Sequence, residues 1–144
     1  MARIDRKRLD DGAFPILAKI PMRFTDLDVQ GHVNNAASAV ILQEARVAFN
    51  KAAGLVSRLE GLRPVVAALS IEYADEMYPP EPIEVRTGVL AIGRTSVTIG
   101  QVARQGGRAT LYAETVLVLI DTAGPAAISG SIREAYEGLL IRHA

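Results

Sequence analysis

Hydrophobic and polar positions change period along this chain, and each change marks an expected element. Residues 1–13 carry no apolar period and read as a loose arm. From Phe14 to Phe24 the run FPILAKIPMRF is apolar enough for a strand. Pro15 and Pro21 point to an edge position or interrupted pairing, since proline has no N–H to donate to a neighbour. The run AASAVILQEARVAFNKAAG then takes on a helical period. Asn34 or Asn35 supplies an N-cap acceptor, and Gly54 stands where a left-handed C-cap glycine belongs. Gln43, Glu44, Arg46, Asn50 and Lys51 fall on one narrow side of this helix. Most of the remaining circumference is apolar, so the helix should be largely buried.

Period two follows. In ALSIEYADEM, Leu69, Ile71 and Tyr73 share one face and Ser70 and Glu72 the other. PIEVRTGVLAIG, TSVTIGQVARQ and RATLYAETVLVLID continue the alternation with many β-branched residues. Gly93-Arg94 and Gly106-Gly107 separate these runs as short hairpin connections. The run from Ala109 to Ile120 becomes apolar on both faces, as a covered or central strand requires. In the final stretch Ser131 and Glu134 have capping-box spacing, which predicts a short helix over 131–142. The pattern is a strand, a long buried helix and an antiparallel meander of about four strands. This predicts one α+β domain spanning 1–144, in which helix and sheet bury each other's apolar faces.

Composition narrows the function. Sixteen basic and sixteen acidic residues in 144 give no net charge, which disfavours sequence-independent nucleic-acid binding. With no cysteine, thiolate metal sites, disulfides and cysteine nucleophiles are excluded. The basic start MARIDRKRLDDG lacks the apolar region of a secretory signal, and no apolar run approaches the ~20 residues that span a bilayer. A cytoplasmic protein without membrane partners is expected.

Candidate chemistry concentrates in FTDLDVQGHVNN, Phe24 to Asn35, at the strand-to-helix junction. The first N–H groups of a helix have no partner within it and point outward with the positive end of the helix dipole. A carbonyl held there is polarised, and Asp28 nearby offers a nucleophile or a general base. Gly31 permits the sharp bend that would bring Asp28 and Asn35 together. The same residue types also make ordinary turns and caps, with Asp26 as turn acceptor and Asn34 as cap. Spacing alone does not choose between these readings and leans to the structural one. Metal binding through Asp26, Asp28 and His32 is poorly supported, because the only other histidine is His143. No serine stands in a nucleophile-elbow pattern.

The run Arg23-Phe24-Thr25-Asp26-Leu27-Asp28-Val29-Gln30-Gly31-His32-Val33-Asn34-Asn35, continued by Glu44-Ala45-Arg46, resembles hotdog-fold acyl-CoA thioesterases of the 4-hydroxybenzoyl-CoA thioesterase type. It is also similar to the plant acyl-ACP thioesterases. The resemblance implies a five-stranded antiparallel sheet wrapped around one long helix, assembled as a homodimer or a homotetramer that is a dimer of dimers. It implies hydrolysis of an acyl-CoA without a further cofactor. Asp28 matches the family's catalytic carboxylate, and Asn35 matches the residue whose backbone N–H holds the thioester carbonyl.

Gln30 and His32 match an amide and a histidine implicated in the acyl-ACP branch, with Gln in place of Asn. Gly31 and Asn34 belong to the same binding segment. Glu44 matches a pocket group or a structural ion-pair partner, and Arg94 a position that helps hold the coenzyme A phosphates. The chain departs from many relatives at Ser38, where they carry an aromatic residue, so the acyl group cannot be carried over. Pro79-Pro80-Glu81-Pro82 replaces the usual Gly-Asp before the third strand. Alternatives are a non-catalytic hotdog module binding acyl-CoA or acyl carrier protein, a hotdog acyl-ACP thioesterase, and a hydratase.

Overall fold

The computed structural model describes residues 4–9 and 14–141. A one-turn helix α1 (Arg6–Leu9) precedes strand β1 (Ile16–Ile20) and the long helix α2 (Asn35–Ala52). Strands β2 (Arg63–Tyr73), β3 (Ile83–Ile92), β4 (Ser96–Gln105) and β5 (Arg108–Asp121) follow. A two-residue strand β6 (Gly124–Pro125) and helix α3 (Gly130–Glu137) complete the order. All strand pairs are antiparallel, in the order β1-β3-β4-β5-β2, with β6 paired to β5. This is the hotdog arrangement expected from the sequence.

The sheet curls because its strands are interrupted. Register shifts fall between Val66 and Ala68, between Val89 and Ala91, and between Ala103 and Arg104. Each inserts a bulge that bends its strand and increases the local twist. Into the hollow side goes α2, whose Ala37, Ile41, Leu42, Ala45 and Phe49 are all buried. Small residues on both sides let helix and sheet approach closely. Ala37 and Ala45 pack in one cluster with Ala103 and Ala113 of the strands. A second cluster joins Phe49 to Val89, Val97, Ile99 and Leu119, and α3 closes it with Ile132 and Tyr136.

Several sequence expectations are revised. The strands are not a simple meander: β2 pairs with β5 at the far edge, and only β3, β4 and β5 are joined by successive hairpins. Residues 74–82 carry the chain from one side of the sheet to the other, a crossover that local periodicity does not register. Part of the arm expected to be loose is packed. Ile4 is buried with Phe14, Leu90, Val102, Tyr112 and Ile141 on the outer face of the sheet. Its N–H donates to Glu72 Oε2 at 2.7 Å. Gly88 is required there, since a Cβ would lie 2.6 Å from Ile141 Cγ1 and 2.9 Å from Pro15 Cδ.

Ser129 holds the N-cap position of the C-terminal helix without a side-chain capping bond, so Ser131 falls inside the first turn rather than at the cap. The Ser131 hydroxyl instead accepts from Arg58 Nη1 at 3.1 Å. The expected span reached residue 142, which lies outside the described residues, and the helix itself ends at Glu137. The edge position of β1 and the Gly106-Gly107 turn, with φ of 56° and 79°, agree with expectation. No helix among the described residues is long and apolar enough to cross a membrane.

Leu42 is fully buried at the contact of α2 with the sheet. Leu42→Ala should lower unfolding free energy by about 2–5 kcal/mol, through lost burial and the cavity left behind. Urea unfolding of the two proteins measures this directly.

Candidate active site

The junction between β1 and α2 is built around Asp26. After β1 the chain makes a short 3-10 turn, Phe24–Asp26, whose carboxylate folds back on Arg23. Asp26 Oδ2 accepts from the Arg23 N–H at 2.9 Å and from Nε at 3.2 Å, and Oδ1 accepts from Nη2 at 3.1 Å. Burial pushes the Asp26 carboxyl up, but the hydrogen bonds and charge of Arg23 together outweigh it. They hold the group below the usual carboxylate range. The Asp26 carbonyl in turn accepts the Asn34 N–H at 2.8 Å and so sets where the helix begins.

Between Asp26 and Asn34 the chain makes a miniature hairpin. Leu27 and Val33 pair across it in antiparallel fashion. The Asp28 N–H donates to the His32 carbonyl at 2.7 Å, and the Gly31 N–H to the Asp28 carbonyl at 3.1 Å. Gly31 sits at φ 78° with open space around its missing Cβ, so backbone conformation, not crowding, demands glycine there.

The Asp28 carboxylate is oriented by its own loop. Its Oδ1 accepts from the Gln30 N–H at 2.8 Å and from the His32 N–H at 3.1 Å, while Oδ2 has no partner among the described residues. Asn34 caps α2 through its Oδ1, which accepts the Ala37 N–H at 2.8 Å. The Asn35 N–H, first in the helix, has no acceptor among the described residues. Asp28, Gln30, His32 and Asn35 line one cavity of about 380 Å³, together with Ser38 and Tyr73. Asp28 and the first residue of the helix therefore line the same space, where the helix dipole favours negative charge.

Other residues shape this cavity without a clear mark in the sequence. The Tyr73 hydroxyl donates to the Asn35 carbonyl at 3.0 Å and ties the end of β2 to the helix start. Burial pushes its phenol up. His32 Nδ1 lies 3.4 Å from Glu76 Oε1, and its ring centroid is 5.9 Å from that of Tyr78. The wall formed by residues 74–78 is pinned from several directions. Val33 N–H donates to the Met77 carbonyl at 2.8 Å, and Ala74 N–H to the Thr110 carbonyl at 2.8 Å.

Arg108 bonds Asp75 at 2.6 Å. Buried Gln105 donates to the carbonyls of Tyr78 and Glu81 at 2.7 and 2.8 Å and accepts the Tyr78 N–H at 3.1 Å. The one signal for Gln105 was a polar side chain at an inward position of a strand. Tyr73 merely closed an alternating run.

Not every candidate reaches the cavity. Gly31 and Asn34 support it from behind as turn and cap, and are not among its lining residues. Glu44 lies 3.5 Å from Arg23 Nη1 and so joins the Arg23–Asp26 pair as a structural ion-pair partner. Arg94 stands beyond the far end of β3. The near end of that strand, Ile83, pairs with Ile20 beside the junction, and nine residues of strand span about 30 Å. Arg94 is not among the residues that line the cavity. Among the described residues no group of three or more His, Asp or Glu side chains is placed to hold a metal ion.

Comparison with known proteins agrees with this architecture. The sequence pattern of the thioesterase-like superfamily matches residues 22–136, and the chain belongs to that family. Its structure is similar to that of a Thermus thermophilus thioesterase complexed with coenzyme A and Zn. The TM-score is 0.79 at 27% identity, covering 91% of this chain and 98% of the other. Protein TT1821 of Thermus thermophilus gives 0.80 at 25% identity over 87% and 99% of the two chains. A DHNA-CoA thioesterase from Staphylococcus aureus shares the fold at 21% identity, with a TM-score of 0.75 over 85% and 88%. In sequence the chain is 26% identical over 87 residues to the uncharacterized protein YsmA of Bacillus subtilis (strain 168). That match spans 60% of this chain and 59% of YsmA, less than two thirds of the relative.

The Asp26 arrangement predicts a pH effect. A carboxyl whose folded pKa is depressed adds stability above its unfolded pKa, about 3.9, and loses it as pH falls through the folded value. Asp26→Asn should therefore melt roughly 4 °C or more below the parent at pH 7. The gap should narrow progressively below about pH 4. Melting curves from pH 7 to pH 3 check both statements.

Proposed function

We propose that the protein hydrolyses an acyl-CoA thioester to a free acid and coenzyme A at the β1–α2 junction. The observation that carries this reading is one cavity lined both by Asp28, whose carboxylate is oriented by its own loop, and by Asn35, whose N–H has no acceptor among the described residues. The thioester carbonyl accepts from the Asn35 N–H, and the dipole of α2 stabilises the oxyanion that forms on attack. A preorganised donor of this kind contributes about 3 kcal/mol to the barrier reduction. Asp28 either removes a proton from the attacking water or attacks the carbonyl carbon itself. His32 and Gln30 border the same space and orient water or substrate. The similar Thermus thioesterase is complexed with coenzyme A, which supports a coenzyme A ester as the substrate class.

We also propose assembly through the sheet edge, as a homodimer or a dimer of dimers. Among the described residues strand β2 has no neighbour beyond it in the sheet, and Val66, Leu69 and Tyr73 on it are 54%, 38% and 47% exposed. Val40 and Val47 of α2 are exposed as well. An apolar edge strand of this length invites pairing with a second copy. Arg94 contacts the nucleotide phosphates of coenzyme A, within one protomer or across such a dimer.

Asp28→Asn should lower kcat by at least about 100-fold on a panel of short, long and aromatic acyl-CoAs, read by released thiol, with an unchanged melting curve. Near-normal kcat would remove Asp28 from its role. Stabilisation by acyl-CoA without turnover of any thioester would replace the hydrolase with a binding module. Light scattering should give a mass of two or four chains, and a strict monomer would refute assembly through β2.

A further inference from the structure

A second cavity, of about 250 Å³, opens between the later turns of α2 and the inner face of the sheet. Val47, Phe49, Pro64, Val66, Ile99 and Leu117 make it largely apolar. Arg46 also lines it, and at 9% exposure that guanidinium is buried. The side chain was expected on the polar side of the helix with Glu44 and Lys51. Instead it turns against the sheet, because inward-facing Gln101 and Thr115 receive it. Nη1 donates to Gln101 Oε1 at 3.2 Å and to Thr115 Oγ1 at 3.3 Å.

Gln101 is fully committed in turn, with its amide donating to the Leu42 carbonyl at 3.0 Å and to Thr87 Oγ1 at 3.2 Å. Both of Arg46's partners are neutral. Nε and Nη2 have no acceptor among the described residues and are not sealed from solvent.

A buried cation without a counter-charge is costly, and burial holds the Arg46 guanidinium below its usual range. No carboxylate lines the cavity, whose remaining polar residues are Gln43 and Asn50. An anion arriving there would gain a charge-assisted pair, and a carboxylate matches the fork of guanidinium donors. The position of the cavity says how such a group would arrive. Tyr73, Ile71, Leu69 and Val66 alternate along the inner face of β2, opposite Leu111, Ala113, Thr115 and Leu117. Tyr73 borders the Asp28 cavity, and Val66 borders this one. Both cavities thus lie on one α2–β2 seam. Asn35 and Arg46 are eleven residues apart on α2, about 16 Å of helix axis, and a helical side chain leans back toward the N-terminus.

We propose that this cavity receives the distal end of the acyl chain and that Arg46 binds a carboxylate there. The preferred substrates are then medium-chain dicarboxylic acids esterified to coenzyme A at one end. This rests on the hydrolase reading above. In the reaction, water oxygen bonds to the thioester carbon, the C–S bond breaks and coenzyme A leaves as the thiol. The second carboxylate is unchanged and serves only for binding. Arg46 is a specificity residue and touches no reacting atom.

The test compares suberoyl-CoA with octanoyl-CoA, which differ only in the distal carboxylate. Wild-type kcat/KM should favour suberoyl-CoA by about tenfold or more, mainly through KM. Arg46→Gln should collapse that ratio toward one, and Arg46→Lys should retain part of it. Gln43→Glu, an exposed substitution on the same cavity, offers Arg46 a competing carboxylate and should also reduce the ratio without depending on a changed core. A wild-type ratio near one, with octanoyl-CoA turned over, overturns the Arg46 proposal and leaves the hydrolase reading intact. Failure to turn over either thioester or any member of the short, long and aromatic acyl-CoA panel overturns the hydrolase reading. The subsite is then judged by calorimetric binding of suberate against octanoate, and equal or absent binding overturns it too.

Discussion

Everything in this molecule depends on burying α2. A helix with so little polar circumference has no stable place in water, and a sheet bent by three bulges provides a hollow that accepts it. The fit is made with small residues as much as with large ones. Alanines at positions 37 and 45 meet alanines at 103 and 113, and Ile41, Leu42 and Phe49 fill the space between. Close packing of this kind leaves a helix little freedom to shift along its axis, so its first turn is held in one place.

A fixed first turn makes a site possible. The helix must leave its first N–H groups unpaired, and the junction disposes of them unequally. Asn34 takes the Ala37 N–H, Asp26 takes the Asn34 N–H through its carbonyl, and the Asn35 and Ala36 N–H groups have no acceptor among the described residues. Around that remainder the chain arranges a carboxylate that is itself oriented by N–H groups of its own loop. Capping and candidate chemistry are two uses of one set of donors. Gln105, Thr110 and Arg108 hold the opposite wall, so the cavity is bounded on both sides by elements tied to the sheet.

Burial also explains the one charged side chain beneath α2. Arg46 is accommodated by Gln101 and Thr115, neither of which neutralises it. Polar groups under a helix anchor it laterally, where apolar contacts would tolerate sliding. The same side chain lines a cavity between the later turns of α2 and the sheet.

Element types, the edge position of β1, the glycine turn at 106–107 and the Asn34 cap were legible in the sequence, because each rests on local rules of period, proline, positive φ or side-chain capping. The junction motif was legible too, since Asp28, Gly31 and Asn35 lie within eight residues and need only one turn to meet. Tertiary structure decided the rest. The crossover of β2 to the β5 edge, the pinning of the cavity wall by Gln105, the packing of Ile4 and the inward turn of Arg46 all involve partners distant in sequence. Arg94, suggested by position in the motif series, stands beyond the far end of β3 and does not line the cavity. Periodicity states which face of an element is apolar. Which element covers that face, and which polar side chain finds a partner beneath it, depends on contacts that only the folded chain creates.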